Sequence, residues 1–379
     1  MTATPFPTGK VLRLPGSSLD QLVQAALRAA GDGAVLYAPV KSGETWTWDV
    51  VAPEAAPQAE WWTRTVNTDL SPKNAMMPQT EDIATWRNRF RDLEIIEPPT
   101  PPPAVVLGLR PCDAASFDIL DDILYDGEFM DETYRTRRMR TLLLTWACAR
   151  TGPACGCDAF DLTPAATAGD VMIYPDGDDL LVAAVTDRGG PVLDHLAQGG
   201  GARDATVDEM QQVAGALAAQ TTEIGRRVKL DDLPIDKPGE GPPQAFGSAI
   251  WDDLAPRCLS CGTCTYVCPT CYCFAVNDEP RGSDGRRVRT WDSCQYKDFF
   301  TMAGGHNPRP SKVERVRQRF MHKLTYHPER YNRWLCVGCG RCVVACPVGL
   351  HIAEVGAVLA EAMRQLGPAK EGDLDGSGR

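Results

Sequence analysis

The stretch CLSCGTCTYVCP at residues 258–269 carries four cysteines in the order C-x2-C-x2-C-x3-C-P, and CVGCGRCVVACP at residues 336–347 repeats the same spacing. This doubled pattern is typical of bacterial ferredoxin domains that hold two 4Fe-4S clusters. In each string the first three cysteines face one cluster, while the fourth, which precedes proline, points to the other cluster. The sequence therefore predicts a two-cluster electron-transfer domain.

The crossed arrangement assigns eight ligands to two clusters. Cluster 1 is predicted to be held by Cys258, Cys261, Cys264 and Cys346, and cluster 2 by Cys268, Cys336, Cys339 and Cys342. Structural zinc also uses paired C-x2-C knuckles, but it needs only four thiolates, and these strings crowd their cysteines unlike a knuckle pair. A disulfide framework is less favoured still, because a large chain without a secretory signal belongs in a reducing compartment.

The chain has 379 residues, enough for two or more domains with a substantial core. We predict an α+β fold: a mixed α/β domain over residues 1–240 and a helical dicluster ferredoxin domain over residues 248–366. The boundary falls in residues 231–247, which combine proline, glycine and charge without a hydrophobic period. Residues 367–379 have no apolar anchor and are predicted to form a disordered tail.

Hydrophobic periodicity predicts the elements within these domains. The most regular unit is strand, helix, strand over 104–109, 113–124 and 141–146, which should close as a right-handed parallel unit. The other predicted elements are helices over 19–30, 208–228, 311–324 and 352–366, strands over 35–40, 46–51, 171–174 and 180–185, an extended connector over 97–103, and irregular chain over 52–80 and 189–203.

Four further cysteines, Cys112, Cys148, Cys155 and Cys157, lie near one another in this topology. Cys112 and Cys148 each follow the carboxyl end of a predicted parallel strand, and open α/β sheets place ligands at that edge. Four converging thiols predict a third iron–sulfur cluster or a zinc ion. The alternative is that they are ordinary buried cysteines. A catalytic thiol at Cys112 is the least favoured reading, because no histidine lies within thirty residues.

Three more cysteines lie in the predicted ferredoxin domain, namely Cys271, Cys273 and Cys294. Three thiols without an obvious fourth favour packing beside a cluster over a separate metal site. The helix beginning near Ser311 is locally basic, through Arg309, Lys312, Arg315, Arg317, Arg319 and Lys323. We favour a solvated helix face for these residues over a docking face for an acidic partner.

The formal net charge of −11 disfavours a nucleic-acid backbone as a partner. No stretch approaches the roughly 20 apolar residues of a membrane-spanning helix. The first residues also lack the apolar run of a signal peptide. These observations predict a cytoplasmic protein without a membrane span.

Four strings together carry a family resemblance. They are GLRPCDAASFDILD at 108–121, CLSCGTCTYVCPTCYCF at 258–274, RTWDSCQYKDFFTMAGGHNPRPS at 289–311 and CVGCGRCVVACPVG at 336–349. The chain resembles the iron–sulfur beta subunit of soluble nickel–iron hydrogenases of the sulfhydrogenase type over about residues 70–355. The same pattern is similar to the A subunit of anaerobic sulfite reductase. Both cysteine strings match without departure, so the resemblance implies the same eight cluster ligands.

The resemblance implies an electron conduit between a flavin subunit that handles NAD(P)H and a subunit that bears the catalytic metal centre. The sequence has no G-x-G-x-x-G motif that follows a strand and opens a helix. It also lacks paired C-x2-C groups at opposite ends of a long chain, as nickel coordination in the large subunit would need. We therefore expect no catalytic site in this chain. The alternatives are the corresponding sulfite reductase subunit, a zinc-stapled interaction module, and an amino-terminal domain with its own small-molecule activity.

Overall fold

A computed structural model describes residues 5–55, 66–90, 92–224 and 246–366. Its strands are β1 (Val11–Pro15), β2 (Val35–Ser42), β3 (Thr45–Val51), β4 (Thr80–Arg89), β5 (Asp92–Ile96), β6 (Ala104–Leu109), β7 (Thr141–Trp146), β8 (Val171–Asp176), β9 (Asp179–Ala184), β10 (Arg203–Asp204), β11 (Phe274–Arg281) and β12 (Asp284–Trp291). Most of the predicted boundary segment and the whole predicted tail lie outside the described residues, so both stay predictions.

The α-helices lie between and after these strands. They are α1 (Leu19–Ala30), α2 (Pro111–Leu124), α3 (Glu132–Met139), α4 (Gly190–Gln198), α5 (Val207–Ile224), α6 (Ile250–Leu254), α7 (Thr263–Tyr266), α8 (Lys312–Met321), α9 (His327–Tyr331), α10 (Arg341–Val344) and α11 (Ile352–Leu366), with a π-helical turn at His322–Tyr326 between α8 and α9. No helix in the described ranges is long and apolar enough to cross a lipid bilayer.

An eight-stranded sheet organises the amino-terminal part, in the order β10-β1-β9-β8-β7-β6-β2-β3. The pairs β2–β6, β6–β7 and β7–β8 are parallel. The predicted strand–helix–strand unit is confirmed as β6, α2 and β7. Because β6 and β7 are covered on both faces, they consist of continuous apolar runs.

Helices cover both faces of this sheet. On one face, α1 and α4 pack Leu22 and Leu193 against strand residues such as Val105. On the other face, Phe117 of α2 packs in a cluster with Val106 of β6. The alternation of β6 side chains between the two clusters follows from the twofold period of a strand. The carboxyl ends of β6 and β7 lead into the segments that carry Cys112, in the first turn of α2, and Cys148, two residues after β7.

A second sheet of four strands has the order β11-β12-β4-β5. Strand β4 pairs antiparallel with β12, so residues before and after the predicted domain boundary share one sheet. The prediction of a carboxyl-terminal domain that is helical between its cysteine strings is wrong for residues 274–291, which form the β11–β12 hairpin. Its turn contains Gly282 at φ +65°, and arginines alternate with carboxylates across the pair, a ladder that a search for apolar periodicity does not detect.

Two other local predictions need correction. Residues 189–203, predicted as loop, include helix α4, whose Val192, Leu193 and Leu196 pack against the large sheet. The glycines and the proline around this short helix are typical of loops, so its apolar spacing was not recognised in the sequence. The predicted helix start at Ser311 is confirmed, and Ser311 and Glu314 form a capping box there. The helical segment, however, continues beyond Leu324 through the π-helical turn into α9.

A buried ion pair joins the large sheet domain to the second cysteine string. Arg341 lies between the last two C-x2-C cysteines, and its guanidinium donates to both carboxylate oxygens of Asp113 in α2, at 2.5 and 3.0 Å. The same side chain donates to the backbone oxygen and to the hydroxyl of Thr68. Both charged side chains are almost fully buried. The bidentate geometry fixes the orientation of α2 relative to the second string.

We expect Asp113→Asn to destabilise the protein by roughly 3 kcal/mol or more, because it leaves the buried Arg341 cation without its counter-charge. The measurement is the thermal unfolding temperature of the anaerobic protein. Asp278→Asn is the matched control, since it removes the carboxylate of an exposed pair with Arg287 and should change the unfolding temperature little. Equal unfolding temperatures for wild type and Asp113→Asn would contradict the importance of this contact.

Candidate iron–sulfur site

The two cysteine strings adopt the same local conformation. In the first, Gly262 has φ +76° and ψ −11° and precedes α7, and in the second, Gly340 has φ +80° and ψ −10° and precedes α10. Glycine suits both positions because other residues seldom adopt positive φ. The two short helices pack against each other. The sequence repeat is therefore also a structural repeat.

The first cavity has a volume of about 480 Å³. All four cysteines predicted for cluster 1 line it, and so does Cys342 of the second string. Apolar side chains form much of the remaining wall, including Val316, Phe320 and Leu350. Backbone N–H groups point at two of the sulfurs: Ser260 donates to Cys258 Sγ at 3.3 Å, and Leu350 donates to Cys346 Sγ at 3.4 Å.

A second cavity of about 480 Å³ lies beside it. Its wall contains the cysteines predicted for cluster 2, namely Cys268, Cys336, Cys339 and Cys342. The fourth cysteine of each string thus lines the cavity of the other string. Burial raises the pKa of Cys336, Cys339 and Cys342 to about 12. These thiols would be neutral in the bare protein, and binding of iron would displace their protons.

Buried cations surround the two cavities. Arg319 lines both cavities and is 6% exposed. Its Nε is buried and has no hydrogen-bond partner among the described residues. Burial opposes the charge of Arg319, but the neighbouring Cys264 and Cys342 raise its pKa above the usual range. Arg319 thus places a buried guanidinium, with one N–H that has no acceptor in the described part of the chain, between two groups of thiols. Anionic clusters bound by these thiols would supply the missing negative charge and the hydrogen-bond acceptor.

Two buried lysines extend this positive environment. Lys323 donates to Cys268 Sγ at 3.5 Å and to Thr270 Oγ1 at 3.0 Å. Lys73 donates to the backbone oxygen of Cys271 at 2.8 Å, and its ammonium lies 3.9 Å from the centre of the Trp291 ring. Lys73 comes from the region read as irregular chain, where no sequence period marked it.

The preferred interpretation of the basic helix as a solvated face is wrong for Arg315, Arg319 and Lys323, which are all buried. Their spacing of four residues places them on one side of the helix. From this spacing, the sequence could have predicted that these three cationic side chains lie on the buried side of the helix. Arg315 donates to backbone oxygens, including that of Pro310 at 2.7 Å, whereas Arg319 and Lys323 face the cysteines.

The cysteines Cys112, Cys148, Cys155 and Cys157 line one further cavity of about 340 Å³. Cys112 lies in the first turn of α2 and Cys148 follows β7, as predicted. The loop of residues 152–157 brings the other two thiols to the same place. Cys339 of the second string also lines this cavity, so it adjoins the second cavity directly.

The last three cysteines lie beside the motif cysteines. The thiol of Cys271 donates a hydrogen bond to Cys268, which lowers the pKa of Cys268 well below its usual value. Cys273 and Cys294 are hydrogen-bonded to each other, and Gln295 Nε2 donates to Cys294 Sγ at 3.5 Å. All three remain free thiols. Packing beside a cluster stays our prediction for them.

At Gly338 the backbone of the second cysteine string lies directly against the backbone of the 152–157 loop. Gly338 has φ +58°, and a Cβ at this position would lie 2.1 Å from the backbone oxygen of Gly156. The Gly156 N–H in turn donates to the Gly338 oxygen at 2.9 Å. Two backbone segments thus meet with no room for a side chain.

We expect Gly338→Ala to separate these segments and to lower both the iron content and the unfolding temperature of the anaerobic protein. Gly349→Ala is the matched control, because Gly349 has a similar φ of +63° but no atom within 4 Å of the added Cβ. The control should show only the cost of the unfavourable φ, about 1 kcal/mol. Equal iron contents in the two variants would show that the close approach is unimportant.

The doubled cysteine string, the paired thiol cavities and the buried cations define an iron–sulfur electron-transfer domain. In agreement, the family of 4Fe-4S dicluster domains matches residues 257–350. The chain is also 31% identical over 260 residues to the beta subunit of sulfhydrogenase 2 of Pyrococcus furiosus, a match that covers 66% of this chain and 72% of that subunit. The chain belongs to the family of iron–sulfur beta subunits of sulfhydrogenase-type hydrogenases.

Proposed function

We propose that this chain is the electron-transfer subunit of a cytoplasmic nickel–iron hydrogenase complex. In this role it relays electrons between a subunit that binds flavin and NAD(P)H and the subunit that carries the catalytic metal. The family assignment supports the oxidoreductase context. A cytoplasmic location is part of the proposal, because exposure of clusters to an oxidising compartment would favour disulfides between their cysteine ligands.

The observation that carries the proposal is the pair of adjoining thiol-lined cavities, with Cys342 in the wall of both. We assign Cys258, Cys261, Cys264 and Cys346 to cluster 1 and Cys268, Cys336, Cys339 and Cys342 to cluster 2. When bound, each 4Fe-4S cluster supplies a one-electron redox centre. Because the two cavities share lining residues, the two bound clusters would lie close together, as electron exchange between them requires.

The surrounding side chains determine the environment of the two centres. Val316, Phe320 and Leu350 restrict water at the first cavity. Arg319 and Lys323 supply positive charge, and backbone N–H groups donate to Cys258 and Cys346. Charge and hydrogen bonds of this kind stabilise the reduced, more anionic state and so raise the reduction potential. The chain therefore holds and tunes redox centres, and bond making is left to a partner subunit.

Nickel content tests the proposed complex. The native assembly is purified without oxygen through a tag on this chain, and nickel is measured per chain. Near-stoichiometric nickel, together with hydrogen uptake, is the expected result. An intact assembly without nickel that reduces sulfite would overturn the hydrogenase assignment in favour of the sulfite reductase alternative. A matching purification through a Cys268→Ala chain should retain nickel while electron transfer to NAD(P)+ is lost.

A further inference from the structure

The cysteines outside the two strings form a site of their own. Their thiols come from three separate segments: the start of α2, the end of β7 and the 152–157 loop. All four, Cys112, Cys148, Cys155 and Cys157, line the same cavity.

Backbone hydrogen bonds hold Cys148 and the 152–157 loop in place. The Cys148 N–H donates to the Pro164 oxygen at 3.1 Å, and the Gly156 N–H donates to the Gly338 oxygen at 2.9 Å. The Gly152 N–H donates to Cys155 Sγ at 3.3 Å. Backbone N–H groups that donate to sulfur are a common feature of iron–sulfur ligation. The thiols are therefore positioned by backbone contacts and not by chance packing alone.

An unpartnered hydroxyl also lies in the cavity wall. Thr151 lines the cavity, and its Oγ1 is buried without a hydrogen-bond partner among the described residues. A buried hydroxyl without a partner is costly. A sulfur atom of a bound cluster would accept this hydrogen bond. The almost fully buried Arg110 lies two residues before Cys112 and adds positive charge beside the cavity, whereas the charge of Arg341 is already paired with Asp113.

The arrangement favours a cluster over a single ion. Within the described ranges, no three or more Cys, His, Asp or Glu side chains are grouped closely enough to hold one metal ion. This is true of Cys112, Cys148, Cys155 and Cys157, and it is equally true of the eight cysteines of the two strings, which line the first and second cavities. A zinc ion draws four thiolates to about 2.3 Å from one centre, whereas a cluster spaces its thiolates around its own volume. The third group resembles the ferredoxin cysteines in that its thiols line a cavity and are not gathered around one point.

We propose that Cys112, Cys148, Cys155 and Cys157 hold a third 4Fe-4S cluster that adjoins cluster 2. Cys339 lines both the second and the third cavity, which places the three sites in a row. The site extends the proposed electron path from the carboxyl-terminal domain to the edge of the large sheet. The role of the third cluster in electron transfer rests on the proposed function, but the presence of the cluster does not.

Metal analysis of the full chain, purified anaerobically from the native assembly and separated from its partners, tests the site. We expect about twelve iron and twelve sulfide per chain, where two clusters give about eight of each. About eight iron with one zinc would overturn the proposal in favour of structural zinc. About eight iron with no zinc would show that the four cysteines are ordinary buried thiols.

Cys148→Ser is expected to remove about one third of the iron and to leave the spectra of clusters 1 and 2 in place. Cys273→Ser is the matched control, because Cys273 is a half-buried thiol that does not line this cavity, and the variant should retain the full iron content. If Cys148→Ser fails to fold, Thr151→Val tests the site with every ligand intact. It should lower the reduction potential of a single cluster, and an unchanged set of potentials would count against a cluster here.

These results separate the two proposals. A chain with about eight iron in an assembly that still oxidises hydrogen would overturn only the third site. A chain with about twelve iron in an assembly without nickel would keep the third site and overturn the hydrogenase assignment.

Discussion

Replacing Cys268 with alanine is expected to abolish cluster 2 and to leave cluster 1 in place, although Cys268 belongs to the first cysteine string. Its thiol lines the second cavity together with Cys336 and Cys339. The Lys323 ammonium donates to this sulfur from the same side. The iron content should fall by about four per chain, and electron transfer through the subunit should be lost.

Two reference variants show which cluster has been lost. Cys339→Ala removes a cluster 2 ligand and Cys261→Ala removes a cluster 1 ligand under our assignment. The electron paramagnetic resonance spectrum of reduced Cys268→Ala should match that of Cys339→Ala. A match to Cys261→Ala instead would refute the crossed ligation. Cys271→Ala is the control for disturbance beside Cys268, and it should keep both signals.

The second large effect is expected from Arg319→Met, which removes the cation between the cavities at nearly constant volume. We expect the reduction potentials of both clusters to fall by roughly 50 to 150 mV. This range follows because two unit charges about 5 to 15 Å apart interact by roughly 1–3 kcal/mol at an effective dielectric constant of about 20, and 1.4 kcal/mol corresponds to about 59 mV for one electron. The measurement is a redox titration followed by electron paramagnetic resonance.

Arg319→Lys is the matched variant, because it keeps the charge and loses the planar guanidinium. It should restore most of the potential of both clusters. A fall in only one potential would show that Arg319 interacts with a single cluster. Unchanged potentials in Arg319→Met would contradict the charge compensation that we derive from its burial and its orphaned Nε.

The spacing of the cysteines along the chain and the apolar runs of the strands allowed the cluster domain and the parallel unit to be predicted. The spacing of the cysteines in each string leaves few ways to face a cluster, so the local chemistry could be predicted residue by residue. The continuous apolar runs of β6 and β7 identified a parallel unit. That unit was enough to bring Cys112 and Cys148 to one edge. The ligation itself remains a prediction that the variants above test.

The parts that could not be predicted depend on contacts between distant segments. The pairing of β4 with β12 joins residues about 200 positions apart, and charged cross-strand pairs hide its pattern. Arg319 and Lys323 read as exposed because charged residues are seldom buried. Only the fold brings these two cations beside the cysteines, where a bound anionic cluster would compensate their charge. The same is true of Arg341, whose partner Asp113 lies 228 positions earlier in the chain.

The most direct test of the central claim is whether hydrogen reduces the clusters of this chain. The anaerobic native assembly is exposed to hydrogen, frozen and measured by electron paramagnetic resonance, and NAD(P)+ is then added. We predict that the signals missing from the Cys268→Ala assembly appear under hydrogen and disappear with NAD(P)+. Clusters that dithionite reduces but that hydrogen and NAD(P)+ leave unchanged would contradict the proposed electron relay.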